Sequence, residues 1–327
     1  MYGSPLYGIK TGLNEAFVID GATRNRLMAQ DAKSADLLKP FLEGKDLKKW
    51  RVEPRDLWLI LCPKGWTRAQ SGLSDEQQAW QWLQANYTAI AAYLAPFETA
   101  AKKRTDKGEF WWELRACAYY ERFEESKVVY SRFMDKPLFV LDSNNFYFNN
   151  ALNLIPKVSF YELGLIISST SWYFLTYNAS LMRGGFYQIH GHVLDKLPIP
   201  NASTKQRAEI AALAETCQTT AHARLAAQVA FTRRIPDLAS TNQIKLNTKL
   251  QQWWLLDFAS FRAEILKCFK AEIPLKDRND WHDLFNQQQT LINTYSQQIQ
   301  LAEQQLNAAV YALFALNAGE IALIEAL

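Results

Sequence analysis

A change of texture at Leu197-Pro198-Ile199-Pro200 organises this 327-residue chain. The two prolines hold the incoming backbone extended. Directly after them, Ser203-Thr204-Lys205-Gln206 has the form of a capping box, with Ser203 as N-cap and Gln206 reaching back to it. The sequence beyond is helical in pattern. Ile210, Leu213, Cys217, Ala221, Leu225 and Val229 form one apolar stripe, and Pro236 ends that helix. Leu284, Leu291, Tyr295, Ile299, Leu306, Val310 and Leu313 form a second stripe. Between them, Leu246 to Ile273 also reads as helical and carries the bulky Trp253-Trp254 pair. Two long helices with narrow stripes predict an antiparallel, coiled-coil-like pair.

Before Pro198 the segments are short and rich in aromatic and β-branched residues. Leu57 to Cys62, Lys127 to Phe133, Pro137 to Leu141 and Asn145 to Phe148 read as strands. Asp75 to Leu94 reads as a helix on the spacing of Trp80, Leu83, Tyr87, Ile90 and Leu94, and Phe160 to Tyr177 as a second, largely buried one. Near the N-terminus, Gly8, Gly12 and Asn14 tolerate positive φ and predict a tight bend ahead of a strand over Ala16 to Ile19. The expected fold is α+β: a mixed globule over residues 1–200, then a helical part over 201–327 that contains the two long antiparallel helices.

An apolar share of 49% with 13% aromatics is ample for a packed core. A net charge of +3 does not by itself predict nucleic acid. Cys62, Cys117, Cys217 and Cys268 stand far apart, without CxxC spacing or a zinc pattern of histidines. They read as reduced thiols of a cytoplasmic protein. There is no signal peptide, and no apolar run, Leu163 to Ile167 included, is long enough to span a bilayer, so no membrane partner is expected.

No catalytic or metal-ligating set stands out. An adenine-N6 or cytosine-N4 DNA methyltransferase needs an Asn/Asp-Pro-Pro-Tyr/Phe loop to grip a flipped base, and this chain has no Pro-Pro pair. The only glycine pair, Gly184-Gly185, precedes Phe186-Tyr187 rather than following a strand, so no cofactor turn is evident. Pro236-Asp237 with Gln243-Ile244-Lys245, and Glu125-Ser126-Lys127, are faint echoes of a nuclease pattern that common chance explains. His190 and His192 read as loop residues.

The strongest chemical pattern runs from Lys102 to Arg132. It interleaves cations with aromatics, and Trp112 and Leu114 read as its core anchors. Arg can grip guanine O6 and N7 together, Lys and Arg take phosphates, and aromatics stack on bases. The DNA-facing candidates are Arg104, Lys107, Arg115, Tyr119, Tyr120, Arg122, Lys127 and Arg132, with the donors Lys10, Thr11 and Asn14 of the N-terminal bend as a second set. Arg24, Arg26 and the Lys45-Lys48-Lys49-Arg51 cluster read either as phosphate contacts or as plain surface.

Several stretches, in this order, carry a family resemblance. They are the opening Gly8–Asp20 leading to Leu38–Leu47; Trp111-Trp112-Glu113-Leu114 with Lys127-Val128-Val129-Tyr130; Gly185-Phe186-Tyr187-Gln188; Leu197-Pro198-Ile199-Pro200 entering a helix; and Leu306 to Leu316. Together they resemble the TaqI-like C-terminal specificity domain, the target-recognition part of bacterial restriction–modification methyltransferases, including type IIG (type II) restriction enzymes. The Pro-Ile-Pro step also resembles the junctions of type I specificity subunits. The resemblance implies sequence-specific binding of double-stranded DNA, with the helical part docking against a methyltransferase domain or subunit. It implies S-adenosylmethionine as the cofactor of that methyltransferase, with none bound by this chain. Family members usually carry the methylase upstream, whereas this chain begins almost where the resemblance begins. It therefore reads as a fragment or a stand-alone specificity chain, not itself an enzyme. The alternative is a non-catalytic helical scaffold that binds protein and no DNA.

Overall fold

The computed structural model describes residues 4–239 and 245–326. Gln243 and Ile244 of the faint nuclease echo lie outside the described residues. The strands in chain order are β1 (Leu6–Tyr7), β2 (Val18–Asp20), β3 (Leu38–Leu42), β4 (Leu47–Lys48), β5 (Arg51–Val52), β6 (Leu57–Ile60), β7 (Lys127–Ser131), β8 (Phe133–Met134), β9 (Phe139–Asp142), β10 (Tyr147–Phe148), β11 (Leu152–Pro156), β12 (Ser180–Leu181) and β13 (Tyr187–Gln188). They form an antiparallel sheet β1-β11-β7-β9, a mixed sheet β10-β3-β6-β2, a small sheet β12-β13-β8 and the pair β4-β5. The chain is α+β, with its long helices toward the C-terminus.

The sheet centred on β7 divides the interior. Every residue of β7 is buried, because both faces of the strand are covered. Side chains alternate between the two faces of a strand. Val129, with Val140 and Leu154, enters a core that includes Phe17, Phe41, Trp112 and Phe123. Val128 and Tyr130, with Phe139 and Ile155, enter a second core shared with helices. The β7–β11 register sets Val128 opposite Ile155 and Val129 opposite Leu154, so the apolar sets on each face align.

The second core straddles Pro200. Val128, Tyr130 and Leu163 pack with Ile210, Ala214 and Cys217 of the 29-residue helix Thr204–Thr232. Ser203 and Gln206 form the capping box that the sequence predicts at its start. Gln218 fixes this helix to the sheet edge: its Nε2 donates to the Leu141 carbonyl at 2.8 Å and its Oε1 accepts from the Leu141 N–H at 2.9 Å. The 36-residue helix Arg278–Leu313 runs antiparallel to it. Cys217 Sγ lies 3.9 Å from the Ile299 carbonyl, and further along Arg224 Nη1 donates to Ser296 Oγ at 3.1 Å. At the far end Phe231 meets Phe285 in a third core built around Trp253 and Phe261.

Several elements differ from the sequence reading. The expected helix 75–94 is two, Glu76–Asn86 and Thr88–Leu94, because Tyr87 leaves helical geometry (φ −134°, ψ 57°) and packs on Trp66. The expected helix 160–177 is also two, Phe160–Ile167 and Ser169–Asn178. Ser168 turns extended there and its hydroxyl caps the second helix through the Ser171 N–H. The segment 246–273 is broken into a one-turn helix Thr248–Gln251, a tight turn Trp253–Leu255 and a longer helix Phe258–Phe269 capped by Asp257. The strand near Ala16 starts later, at Val18, after a helical turn Asn14–Phe17. On the first long helix the buried face drifts from Leu225 and Val229 to Gln228 and Phe231, toward the third core.

Candidate nucleic-acid interface

Two segments far apart in sequence meet in one cleft of about 490 Å³. One wall is the N-terminal stretch Tyr7 to Lys10, and the other is Arg115 to Tyr120, with Arg132, Asn150 and His190.

The N-terminal wall is held by close backbone contact. β1 pairs with β11, Gly8 N–H donates to the Leu152 carbonyl at 3.0 Å, and the chain then passes to β10, where Ile9 N–H donates to the Phe148 carbonyl at 2.8 Å. Only glycine fits at position 8, since a Cβ there would lie 2.1 Å from the Asn149 carbonyl oxygen. Lys10 follows, exposed at the cleft edge. At Gly12 (φ +70°) the chain turns. The Thr11 hydroxyl donates to Asn14 Oδ1 and accepts from the Leu13 N–H, which closes the turn. Asn14 remains exposed in an adjoining trough that shares Lys10 and Asn150 with the cleft.

The second wall is anchored by aromatics. Trp111, Trp112 and Leu114 are core, and the buried Glu113 carboxylate accepts from the N–H groups of Gly65, Thr67 and Glu109 at 2.8–3.0 Å. From that anchor the chain emerges at Arg115, which pairs with Asp106 at 3.1 Å while half exposed. The Tyr120 hydroxyl donates to the Arg115 carbonyl at 3.0 Å, and Tyr119 stacks on Phe123. Burial pushes both phenols above their ordinary range, so both hydroxyls stay protonated.

Arg132 sits where the chain crosses from β7 to β8. Its N–H donates to the Ala151 carbonyl and its carbonyl accepts from the Ile189 N–H, both at 2.9 Å. Its guanidinium lies over the Phe133 ring, 5.4 Å from the centroid. With the Gln188 amide oriented by its hydrogen bonds, the amide oxygen accepts from Arg132 Nε (3.2 Å) and Nη2 (2.8 Å) and from His190 Nε2 (3.2 Å). His190 stacks on His192 with centroids 5.3 Å apart. Burial, and then the charges of Arg132 and His192, hold the His190 imidazole below its ordinary pKa.

The candidates from the sequence divide by position. Lys10, Arg115, Tyr119, Tyr120 and Arg132 line the cleft together, and Asn14 lies beside it. Lys107, exposed and donating to the Lys102 carbonyl, and Arg122, paired with Glu125 at 2.6 Å, stand outside the cleft lining. Three candidates are interior groups, and a DNA-facing role for them is corrected. Arg104 is buried over the Phe17 ring, and its guanidinium is spent on the carbonyls of Ala101, Thr11, Trp111 and Glu113. Desolvation lowers its pKa to about 10. Lys127 is fully buried against Asp142 at 2.7 Å and donates to the Phe123 carbonyl. Thr11 is buried in the turn that it closes. Of the second cationic cluster, Lys49 pairs with Glu303 on the second long helix and Arg51 with Glu53.

Sequence reading missed Tyr7, Asn150 and His190. His190 follows the Phe186-Tyr187-Gln188 stretch, but only the β8–β13 pairing brings it beside Arg132. Among the described residues the cleft's own ionic groups are Lys10, Arg115 and Arg132, and the nearest carboxylates, Asp106 paired with Arg115 and Glu15, line the adjoining trough. Such a lining favours a polyanion.

Residues 39–199 match the family model described as the TaqI-like C-terminal specificity domain. This segment is a TaqI-like specificity domain. It contains the Arg115–Tyr120 wall, Arg132 and His190, while Tyr7 to Lys10 precede the matched residues. Residues 203–310, most of the helical part, match a domain of unknown function (DUF8810). No curated protein matches the chain. Among solved structures, the chain is similar to the Type IIL restriction-modification enzyme MmeI in complex with DNA, at 14% identity and a TM-score of 0.47. That alignment covers 100% of this chain and 35% of MmeI. No described helix is long and apolar enough to cross a membrane.

Proposed function

We propose that the chain recognises double-stranded DNA as the specificity part of a restriction–modification methyltransferase, with the cleft between Tyr7–Lys10 and Arg115–Tyr120 as its contact surface. The observation that carries this reading is the gathering of Lys10, Arg115 and Arg132 in one cleft whose other wall belongs to the TaqI-like segment, with no carboxylate among the residues that line it. Roles divide by how each cation is held. Arg132 is fixed by backbone bonds on both sides and by the Gln188 amide, which suits a guanidinium that reads a base edge. Lys10 and the half-exposed Arg115 suit phosphates, which position the protein without reading sequence. Methyl transfer belongs in this reading to a separate methyltransferase domain or subunit, which would bind S-adenosylmethionine; the helical part would dock there.

Filter binding of duplex DNA across a salt series tests the proposal. Each neutralised phosphate adds about 0.9 to the slope of log affinity against log salt. A steep slope, and selection of one sequence from a random pool, are the expected results. Binding that is absent, or that ignores salt, would favour a protein-binding scaffold instead.

A further inference from the structure

The small sheet β12-β13-β8 ends in a hairpin that the cleft does not use. Met182 N–H donates to the Phe186 carbonyl at 2.7 Å and closes a loop over Arg183-Gly184-Gly185. Gly184 (φ +89°) and Gly185 (φ +82°) supply the left-handed backbone that the loop needs. A Cβ on Gly185 would meet nothing within 4 Å, so the tip stands in solvent.

Its side chains are not those of an ordinary solvated turn. Register places Leu181, Tyr187 and Met134 on one face and Ser180, Gln188 and Phe133 on the other. The first face packs inward: Met134 is buried, and Tyr187 meets Trp172 edge-on at 5.7 Å. The second face is open. Alternation places Met182 and Phe186 on that face beyond Gln188, and Phe133, Met182 and Phe186 are 41–42% exposed. Leu181, at the outer end of the first face, escapes that packing and is 66% exposed, on the opposite side from Met182 and Phe186. Adjoining exposed apolar side chains of this kind mark a contact surface.

Two observations choose the occupant. The open face is continuous with the cleft, because Arg132 lies over Phe133 and bonds Gln188, while Arg132 and His190 line the cleft itself. The hairpin's own charge is also of one sign, while on the neighbouring strand the register sets the exposed Asp135 opposite Phe186, with Lys136 next to it. From Leu163 to Leu194 the chain has no Asp, Glu or Lys, and Arg183 at the hairpin tip is its sole permanently charged side chain.

We infer that the Ser180–Gln188 hairpin is a second DNA-contacting element, which meets the duplex through Met182 and Phe186 and places Arg183 on a flanking phosphate. The inference rests on the proposed DNA-recognition role and deepens it. Proteins that set apolar side chains against the base stack gain contact that salt does not screen, whereas a phosphate contact is salt-dependent.

The experiment compares the full chain with Met182→Ser/Phe186→Ser, Arg183→Ala and Arg132→Ala. The probe is duplex DNA recovered from a random pool by the parent, titrated across a salt series. The serine pair should weaken binding about tenfold at every salt with the parental slope, as loss of a base contact does. Arg183→Ala should lower the slope by about one unit. All these side chains are exposed or half-exposed, and unchanged melting confirms that the fold is intact. If the serine pair melts early, Phe186→Ala and Arg183→Ala carry the test. Parental binding by both hairpin variants, with loss in Arg132→Ala, overturns the hairpin role and leaves the cleft reading standing. Parental DNA binding with lost capture of a methyltransferase subunit assigns the tip to protein and also overturns it. Failure of the parent to bind any duplex removes both.

Discussion

Lys127 Nζ lies 2.7 Å from Asp142 Oδ2 across the β7–β9 ladder, and neither side chain reaches solvent. Burial lowers the Lys127 pKa, and Asp142 opposes that effect. The pair is specified on both sides, since Asp142 also accepts from the N–H groups of Asn144 and Phe146 at 2.8 and 3.0 Å. Lys127→Met strands that carboxylate indoors. Loss of one partner of a buried pair costs about 3–5 kcal/mol. Urea denaturation should show that loss, and an unchanged midpoint would remove the structural role.

Arg104→Met should behave as a folding variant. Its guanidinium joins the N-terminal turn at Thr11 to the Trp111–Glu113 anchor, and the substitution leaves those carbonyls unpaired. Charge-assisted bonds contribute about 1.5–3 kcal/mol each, so a loss of at least that size is expected. At a temperature where the variant remains folded, its base preference should match the parent. A variant of parental stability with relaxed preference would return Arg104 to the DNA surface.

Within the cleft, Lys10→Ala and Arg132→Ala should separate. Removing the exposed Lys10 should weaken all sequences alike and flatten the salt slope by about one unit. Removing Arg132 should cost about 1–3 kcal/mol and relax preference at one base pair. Neither should shift melting much. Uniform weakening by both would assign Arg132 to a phosphate.

DNA binding should tighten as pH falls through the region below the ordinary histidine range. Burial, Arg132 and His192 keep His190 neutral until the solution is more acidic than usual, and its protonation then adds a positive charge to the cleft. The sign follows from the ligand: a polyanion favours the charged ring, so affinity rises as protons bind. His190→Gln should remove that part of the rise. An identical pH profile in the variant would show that His190 is outside the contact.

The helical half was legible because capping and periodicity are local. Ser203, Gln206 and most of the first stripe act within a turn or two of themselves, so their spacing announces them. The interruptions at Tyr87 and Ser168 were hidden, since each depends on a competing side-chain or packing contact that the apolar spacing does not carry. The basic–aromatic segment was legible as a region and illegible residue by residue. Arg104 and Arg115 look alike in sequence, yet one meets four carbonyls indoors and the other stands half exposed on the cleft. Likewise the approach of Lys10 to Arg132 is made by β1–β11 pairing across most of the globule, a long-range contact with no local mark.

The attachment of the helical part to the globule can be probed at Gly164. This glycine lies in the helix Phe160–Ile167, where Ala would ordinarily gain about 1 kcal/mol. Here a Cβ would sit 2.7 Å from Ile210 Cγ2 and 3.3 Å from the Ile210 carbonyl, on the first turns of the Thr204–Thr232 helix. Ile is stiff at χ1, so its methyl cannot swing aside cheaply. The clash therefore outweighs the propensity gain, and Gly164→Ala should destabilise by about 1–3 kcal/mol. Ile210→Ala alone should cost about 2–5 kcal/mol, because Ile210 is buried in the second core. The pair should not add. Removing Cγ2 makes room for the new methyl, so the double variant should be more stable than the sum of the single losses predicts, by at least about 0.5 kcal/mol. Additive losses would mean that the two helices are not held at this crossing.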